Sequence, residues 1–486
     1  MFDPFSLGAK ANAAPERTAL VTEQGAISYR ALADRCSAIG ESLARMRGEG
    51  AGPVAVRAVN HESTALVLLA LIDRGIPFVP LHPRLTDREA EAIVTDARCS
   101  LVLRDPEVRA LGLLEPARAT DPMRTDRDVE RESPLAILYT SGTTGTPKGA
   151  VLSRRAFFAS AAASASNLAW TDDDRWLLCL PLCHVGGLSV LTRCVLATRS
   201  AVLLSRFDEA LVAETIDAHD VTIASFVPTM LHRLLDAGHE GSLARLRAIL
   251  LGGAPASTSL LERCARARIR VRTTYGLTEA CSQVTTQRDR DPSVVELSSG
   301  EPLSGVSVEI RADDGSRCRA GDVGAIHVSG PTLFSGYLHG DKLESGAWFD
   351  TGDFGFLDER GRLHVVARRT DLIVTGGENV YPLEVERALS DAPGVEAIMV
   401  FGVDDERWGQ RVVCAIVADR SRSFDADAFA AAVESRLAPH KRPRGYVLCD
   451  ALPLTAAGKP DRRAAATQFA GRITAIAKNA STRSTE

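Results

Sequence analysis

Along residues 28–46, "SYRALADRCSAIGESLARM", apolar side chains recur at Leu32, Cys36, Ile39, Leu43 and Met46, in alternating steps of four and three. That spacing gathers them on one face of a helix, and Ser28 stands where a capping hydroxyl belongs. "ALVLLALIDRG" reads as a buried helix stopped by Gly75, and "IPFVPL" as a short strand. "TDREAEAIVTDA" opens with a capping box at Thr86 and Glu89, and "SLVLRD" returns as a strand. The same rhythm recurs in "DEALVAETIDAHD" then "VTIASFVP", and in "STSLLERCARA" then "IRVRTTYG". Helices alternating with apolar strands predict an α/β fold with mainly parallel sheets. "LAILY" predicts a further buried strand, with a helix in "AVLSRRAFFASAAASA" beyond it.

Past about residue 300 the texture changes. "VSVEIRADDGSRCRAGDVGAIHVSG" has short alternating strands with D-D-G and A-G-D turns, which predicts an antiparallel sheet or small barrel. An α+β pattern follows "VVARRTDLIV": helix "PLEVERALSDA", strands "VEAIMVFGV" and "RVVCAIVAD", helix "DADAFAAAVESRLA" and strand "GYVLCD". The boundary is placed at Asp371, giving a large domain over 1–370 and a smaller one over 371–486. The polar end, "NASTRSTE", is expected to fray.

Composition narrows the chemistry. The 486 residues are 45% hydrophobic and 24% charged, with a formal net charge of −5. No general basic footprint exists, which argues against nucleic acid or an anionic membrane as the main partner and favors small molecules. No apolar run is long enough to span a membrane, and the N-terminus lacks the pattern of a secretory leader; the cytoplasm is the expected location. The ten cysteines form no C-x-x-C pair; Cys179, Cys183 and His184 cluster as metal ligands would, but no second ligand pair stands nearby, and small buried thiols are the reading preferred.

The stretch "YTSGTTGTPKGA", Tyr139 to Ala150, has the glycines, hydroxyls and lysine of a phosphate cradle. The Walker pattern fails: Pro147 stands where its second glycine would be, and Gly149 follows Lys148 in place of Ser or Thr. Further turns follow apolar runs: "LPLCHVGG", "LLGGAPAS", "TYGLTEACSQ", "FDTGDFG" and "LTAAGKPDR". Loops beyond the carboxyl ends of strands are where α/β sheets bind ligands.

In this order, these segments closely resemble the adenylate-forming enzyme superfamily, over nearly the whole chain. The resemblance implies a large N-terminal domain, a mobile C-terminal domain, and two steps. A carboxylate and ATP give acyl-AMP and pyrophosphate; a thiol, CoA, then takes the acyl group. It further implies that Thr140, Ser141, Gly142, Thr143, Thr144 and Lys148 hold the β- and γ-phosphates, that Thr278 contacts the α-phosphate, and that Glu279 holds Mg²⁺. Gly252, Gly253, Ala254 and Gly276 would lie along the nucleotide, with Tyr275 stacked on adenine. Asp353 and Arg368 would bind the ribose. Lys459 would be the catalytic lysine bridging carboxylate and α-phosphate, Asp371 the hinge, and "VTGGENVYP" the loop that swings inward for the thiol step. A homodimer is the assembly expected.

Four positions depart from the commonest family pattern: Arg154 for a histidine, Cys183 for an aromatic, Ala367 for glycine and Val374 for lysine. The segments "LPLCHVGGLSVLTR", "SFVPTMLHRLL", "TYGLTEACSQVTT" and "RRTDLIVTGGENVYPLEVE" most resemble the o-succinylbenzoate–CoA ligases of menaquinone biosynthesis. His184 would then line the acyl pocket. Arg193 is a candidate for the substrate's second carboxylate, weighed against an ordinary surface arginine. Other readings stay open: a benzoate- or anthranilate-type CoA ligase, an enzyme loading a carrier protein, and a silent acyl-adenylate sensor.

Overall fold

A computed structural model describes residues 3–48, 51–114, 129–140, 147–368, 371–375, 378–405, 408–419, 424–455 and 460–476. Ser141, Gly142, Thr143, Thr144 and Lys459 lie outside the described residues, as does part of "VTGGENVYP".

Among the described residues the strands form four sheets. A nine-stranded sheet has Val271–Leu277, Ala248–Leu251, Ile223–Phe226, Arg175–Leu178, Ser200–Leu203 and Thr18–Thr22 side by side, all parallel, with antiparallel strands at both edges. A five-stranded sheet runs Leu101–Leu103, Val54–Arg57, Phe78–Leu81, Pro134–Thr140 and Lys148–Ser153; only its last pairing is antiparallel. One hydrophobic cluster joins both sheets, with Val54, Val56 and Leu138 from one and Trp176, Leu178 and Leu203 from the other.

The helix Glu62–Arg74 belongs to that cluster and is buried at every residue from Glu62 to Ile72, which explains its unbroken apolar run. Its buried first residue is satisfied on both oxygens: Arg35 pairs with Glu62 at 2.8 Å, and the Thr22 hydroxyl donates to it at 2.6 Å. Gly75 ends the helix at φ 67°. The capping box is formed, with Glu89 N–H donating to the Thr86 hydroxyl at 3.3 Å and Thr86 N–H to the Glu89 carboxylate at 2.8 Å.

Two expectations need correction. Met46 does not join the buried face of Tyr29–Arg47: it is 45% exposed, because it falls in the last turn before Gly48 ends the helix. The segment after the glycine-rich loop is first a strand, Lys148–Ser153, and the helix begins only at Arg154 behind the Ser153 cap.

The region past residue 300 takes the antiparallel-sheet form, in the order Ser307–Arg311, Gly324–Ser329, Phe349–Leu357, Leu363–Arg368. It shares a cluster with Tyr275, Ala280 and Val284 of the nine-stranded sheet's edge. The last sheet is built on Gly409–Ala418, buried on both faces: Val412, Cys414 and Ile416 face one cluster, and Val413 and Ala415 the other. Helices Pro382–Leu389 and Ala426–Arg436 cover the first face, and Arg462–Phe469 the second.

The ten cysteines are unpaired; Cys36, Cys179, Cys183, Cys194, Cys264, Cys281 and Cys414 are buried. Arg154 is buried too. Its guanidinium pairs with Asp3, donates to the Ile72 carbonyl at 2.8 Å and lies over the Phe5 ring. Arginine at this position therefore anchors the N-terminal segment to the large domain's interior.

Candidate active site

The glycine-rich loop is held at both ends by a hairpin. Pro134–Thr140 and Lys148–Ser153 are antiparallel partners, with Thr140 opposite Lys148. On the first strand of that hairpin, the Tyr139 hydroxyl donates to Asp96 at 2.5 Å. Its outer strand is stitched to a second segment: Ser335 N–H donates to the Val151 carbonyl, Val151 N–H to Gly336, and Leu338 N–H to Gly149.

That segment carries a residue the sequence reasoning missed. The Tyr337 hydroxyl donates to Glu279 Oε1 at 2.8 Å, and Lys148 Nζ lies 5.5 Å from the center of the same ring. Burial, then the neighboring carboxylate, raise the Tyr337 pKa, so the phenol stays a donor. Lys148, the candidate phosphate-binding lysine, and the metal-candidate carboxylate are thus joined through one phenol. The only sequence signal was a Gly-Tyr turn in "SGYLHG".

Glu279 stands on a 3₁₀ turn, Thr278–Ala280, directly after the strand Val271–Leu277. The turn exits through Cys281 at φ 52° and Ser282 at φ 92°, conformations uncommon for side-chain-bearing residues. Gly276 is required by the strand pairing: a Cβ there would meet the Ser282 carbonyl oxygen at 1.7 Å. Phe334 N–H donates to the Glu279 carbonyl at 2.8 Å, fixing the turn to the Tyr337 segment.

The nucleotide candidates cluster around the same strand. Tyr275 donates from its hydroxyl to Asp353 Oδ2 at 2.7 Å, linking the nine-stranded sheet to the antiparallel one. Asp353 is buried, and across the strand pairing its Cα partner is Arg368. Both ribose candidates therefore occupy one rung of the ladder. Gly252, Gly253 and Ala254 follow the carboxyl end of Ala248–Leu251, where Gly252 packs against Thr274 and Gly253 has φ 80°. The adenine candidates thus sit at the carboxyl ends of two neighboring parallel strands, as ligand sites in such sheets do, and the ribose candidates come from the antiparallel sheet joined to them through Tyr275.

His184 caps the helix Val185–Ala197, beyond the carboxyl end of Arg175–Leu178. His82 follows Phe78–Leu81 of the other sheet, and the two imidazole centers are 5.5 Å apart. Donor atoms of His82, Cys183 and His184 lie within 4.8 Å of one another, so the third member of this cluster is His82 and not Cys179. One observation opposes metal ligation: His82 Nδ1 already accepts a hydrogen bond from Arg84 N–H at 3.0 Å, which leaves the proton on Nε2 of the neutral ring.

Arg193 corrects the surface-arginine alternative: it is 4% exposed. Its guanidinium donates to the Ser160 hydroxyl at 3.2 Å and lies 5.7 Å from the Trp176 ring center, while Nε has no partner. Burial lowers its pKa to about 10. Among the described residues no carboxylate pairs with it. A charge this deeply buried needs a counter-group, and an anionic ligand is one that would answer.

Asp371 Oδ2 accepts from Arg462 at 3.0 Å. Arg368 is placed by its backbone pairing with Asp353, and Lys459 and the loop tip fall outside the described residues.

A magnesium ion wants hard oxygen donors. Glu279 fits: its carboxylate is engaged by a neutral phenol, and among the described residues no Lys or Arg forms an ion pair with it. Among those residues, too, no helix is long and apolar enough to cross a membrane.

Comparison with known proteins bears on the same geometry. The AMP-binding enzyme family matches residues 7–338, and the AMP-binding enzyme C-terminal domain matches 384–459. A 2–succinylbenzoate–CoA ligase of Bacillus licheniformis is 35% identical, over 94% of this chain and 98% of the relative. The o-succinylbenzoate CoA synthetase (MenE) of Bacillus subtilis, solved with the acyl-adenylate intermediate OSB-AMP, is 32% identical with a TM-score of 0.84, covering 95% of this chain and 97% of that one. The same enzyme solved with ATP and magnesium ion is 31% identical with a TM-score of 0.82, covering 95% and 99%. The chain belongs to the AMP-binding enzyme family.

Proposed function

We propose that the protein is an AMP-forming acid–CoA ligase acting on o-succinylbenzoate. One observation carries the reading: a lysine, a phenol and a carboxylate, Lys148, Tyr337 and Glu279, join the phosphate hairpin to the turn that follows Tyr275, in a chain similar end to end to 2-succinylbenzoate–CoA ligases.

In the first step a carboxylate oxygen of the acid attacks the α-phosphorus of ATP and pyrophosphate leaves, giving the acyl-adenylate. Both reactants are anions, so the site must place donors and cations around the phosphates before reaction. Thr140, Ser141, Gly142, Thr143, Thr144 and Lys148 are assigned to the β- and γ-phosphates, Thr278 to the α-phosphate, and Lys459 to the reacting oxygens. Glu279 would hold magnesium, which supplies positive charge against the triphosphate. Asp353 and Arg368 are assigned to the ribose; Tyr275, Gly252, Gly253, Ala254 and Gly276 surround the base. In the second step the CoA sulfur attacks the acyl carbon and AMP leaves.

His184 is assigned to the wall of the acyl pocket and Arg193 to the substrate's second carboxylate; the buried guanidinium, whose Nε has no partner among the described residues, supports this role. Division at Asp371 into domains 1–370 and 371–486 gives Lys459 the mobility that its role needs. Residence in the cytoplasm is the reading drawn from the N-terminal sequence and the apolar run lengths, a homodimer is the assembly proposed, and a place in menaquinone biosynthesis rests on the family resemblance.

The test is pyrophosphate release across aryl and fatty acids, with and without CoA. Release should be fastest with o-succinylbenzoate, and CoA should convert the adenylate to thioester. Equal or better turnover of palmitate would overturn the aryl assignment.

A further inference from the structure

Beside the sheet built on Gly409–Ala418 lies a buried ionic junction centered on Arg462, a residue that none of the roles above uses. Arg462, first residue of the helix Arg462–Phe469, makes three bonds with three different parts of the fold. Its Nη1 donates to Asp371 Oδ2 at 3.0 Å, its Nη2 to Glu386 Oε1 at 2.7 Å, and its Nε to the Val400 carbonyl at 2.9 Å. The side chain is only 14% exposed, and Glu386 also accepts the Val400 N–H at 2.8 Å. An arginine fork with every arm engaged in a dry setting holds a fixed geometry.

Its place in the chain gives the junction meaning. Arg462 comes three residues after Lys459. The segment bearing that lysine is closed at its base by pairing of Leu454 with Pro460 and by Asp461 N–H donating to the Pro453 carbonyl at 3.0 Å. Asp461 then caps the helix by accepting from Ala464 N–H at 2.9 Å. A single guanidinium therefore connects the base of the lysine segment to position 371, a sequence separation of 91 residues.

We propose that Arg462 is a positioning residue that makes Asp371 and the base of the lysine-bearing segment one mechanical unit, so that rotation at the hinge delivers Lys459 in register. The inference rests on the adenylation reading for Lys459 and Asp371. It places the moving joint on the N-terminal side of the Asp371 side chain, since that carboxylate travels with the small domain.

The experiment uses full-length Arg462→Gln, Arg462→Lys, Asp371→Asn and the Asp371→Asn/Arg462→Gln double variant. Adenylation is followed by pyrophosphate release, and thioester formation from supplied acyl-adenylate. A substrate-free assay follows tryptic cleavage after Arg368 or Arg369, beside the hinge. Misplacing a reacting group by about 1 Å costs on the order of 100-fold, and Arg462→Gln should slow adenylation by about that factor while slowing the thioester step by less than about tenfold. Arg462→Lys should recover part of the loss, and the double variant should be no slower than Arg462→Gln alone. Cleavage beside the hinge should quicken in Arg462→Gln and in Asp371→Asn.

Equal losses in both half-reactions, additive losses in the double variant, or unchanged cleavage would overturn the coupling. Should Arg462→Gln not fold, Arg462→Lys and Asp371→Asn decide by the same measurements. Cleavage needs no substrate, so wild-type inactivity on every aryl acid would sink the functional assignment while leaving the junction's own result readable.

Discussion

Tyr275 and Asp353, 78 residues apart, share a 2.7 Å hydrogen bond that ties the strand before the Glu279 turn to the strand carrying the ribose candidates. The phenol thereby orients a buried carboxylate while its ring stays with the hydrophobic cluster at the sheet junction. Tyr275→Phe removes this bond and keeps the ring. Hydrogen bonds to charged groups contribute roughly 1.5–3 kcal/mol, so the KM for ATP should rise on the order of tenfold or more. ATP titration of pyrophosphate release checks this, and an unchanged KM would detach Asp353 from nucleotide binding.

Tyr337→Phe separates the other pair. Without the phenol, Glu279 loses the donor that fixes its rotamer, and Lys148 keeps only an aromatic face. Removing a group that orients a metal ligand typically costs about 10- to 100-fold in metal affinity. The magnesium concentration for half-maximal adenylation should rise by about tenfold at saturating ATP. An unaltered magnesium curve would mean that Tyr337 only packs the hairpin.

Arg193→Met replaces a buried cation with an apolar side chain of similar length. If the guanidinium pairs with a substrate carboxylate, the variant should lose about 2 kcal/mol or more of binding toward o-succinylbenzoate. Its activity toward benzoate, which lacks the second carboxylate, should hold or improve. Comparing kcat/KM for the two acids decides the matter; parallel losses would make Arg193 a structural residue.

Much of this architecture was readable along the chain. Ser28, the capping box at Thr86 and Glu89, and Gly75 act within a few residues of themselves, so local chemistry suffices to place them. The strand Lys148–Ser153 was misread because the Ala- and Arg-rich stretch after it favors a helix; what makes it extended is pairing with Pro134–Thr140 and with the segment around Tyr337. Tyr337 carries no charge and meets Glu279 across 58 residues, so no local pattern marks it. Arg193 did have a signal: it interrupts "LSVLTRCVLA", and an arginine inside an otherwise apolar helix is more readily explained by a buried role than by a surface one.

Asp3→Asn tests the N-terminal anchor. It leaves Arg154 buried without its charge partner, and breaking a buried pair from one side costs about 3–5 kcal/mol. Urea unfolding should show a loss of that size, while the double change Asp3→Leu/Arg154→Met should recover much of it. Wild-type stability in Asp3→Asn would show that the pair contributes little.

The buried, unpaired thiols also give the fold an internal clock. Cys194 and Cys281 lie in the large domain and Cys414 in the six-stranded sheet of the small one, each held as an unreactive thiol by burial, which raises its pKa. A thiol-selective alkylating reagent can reach them only when the surrounding structure opens, so their labeling rates time local unfolding without any introduced probe. Read by mass spectrometry, Cys414 on one side and Cys194 and Cys281 on the other would reveal whether the two lobes open together or one at a time.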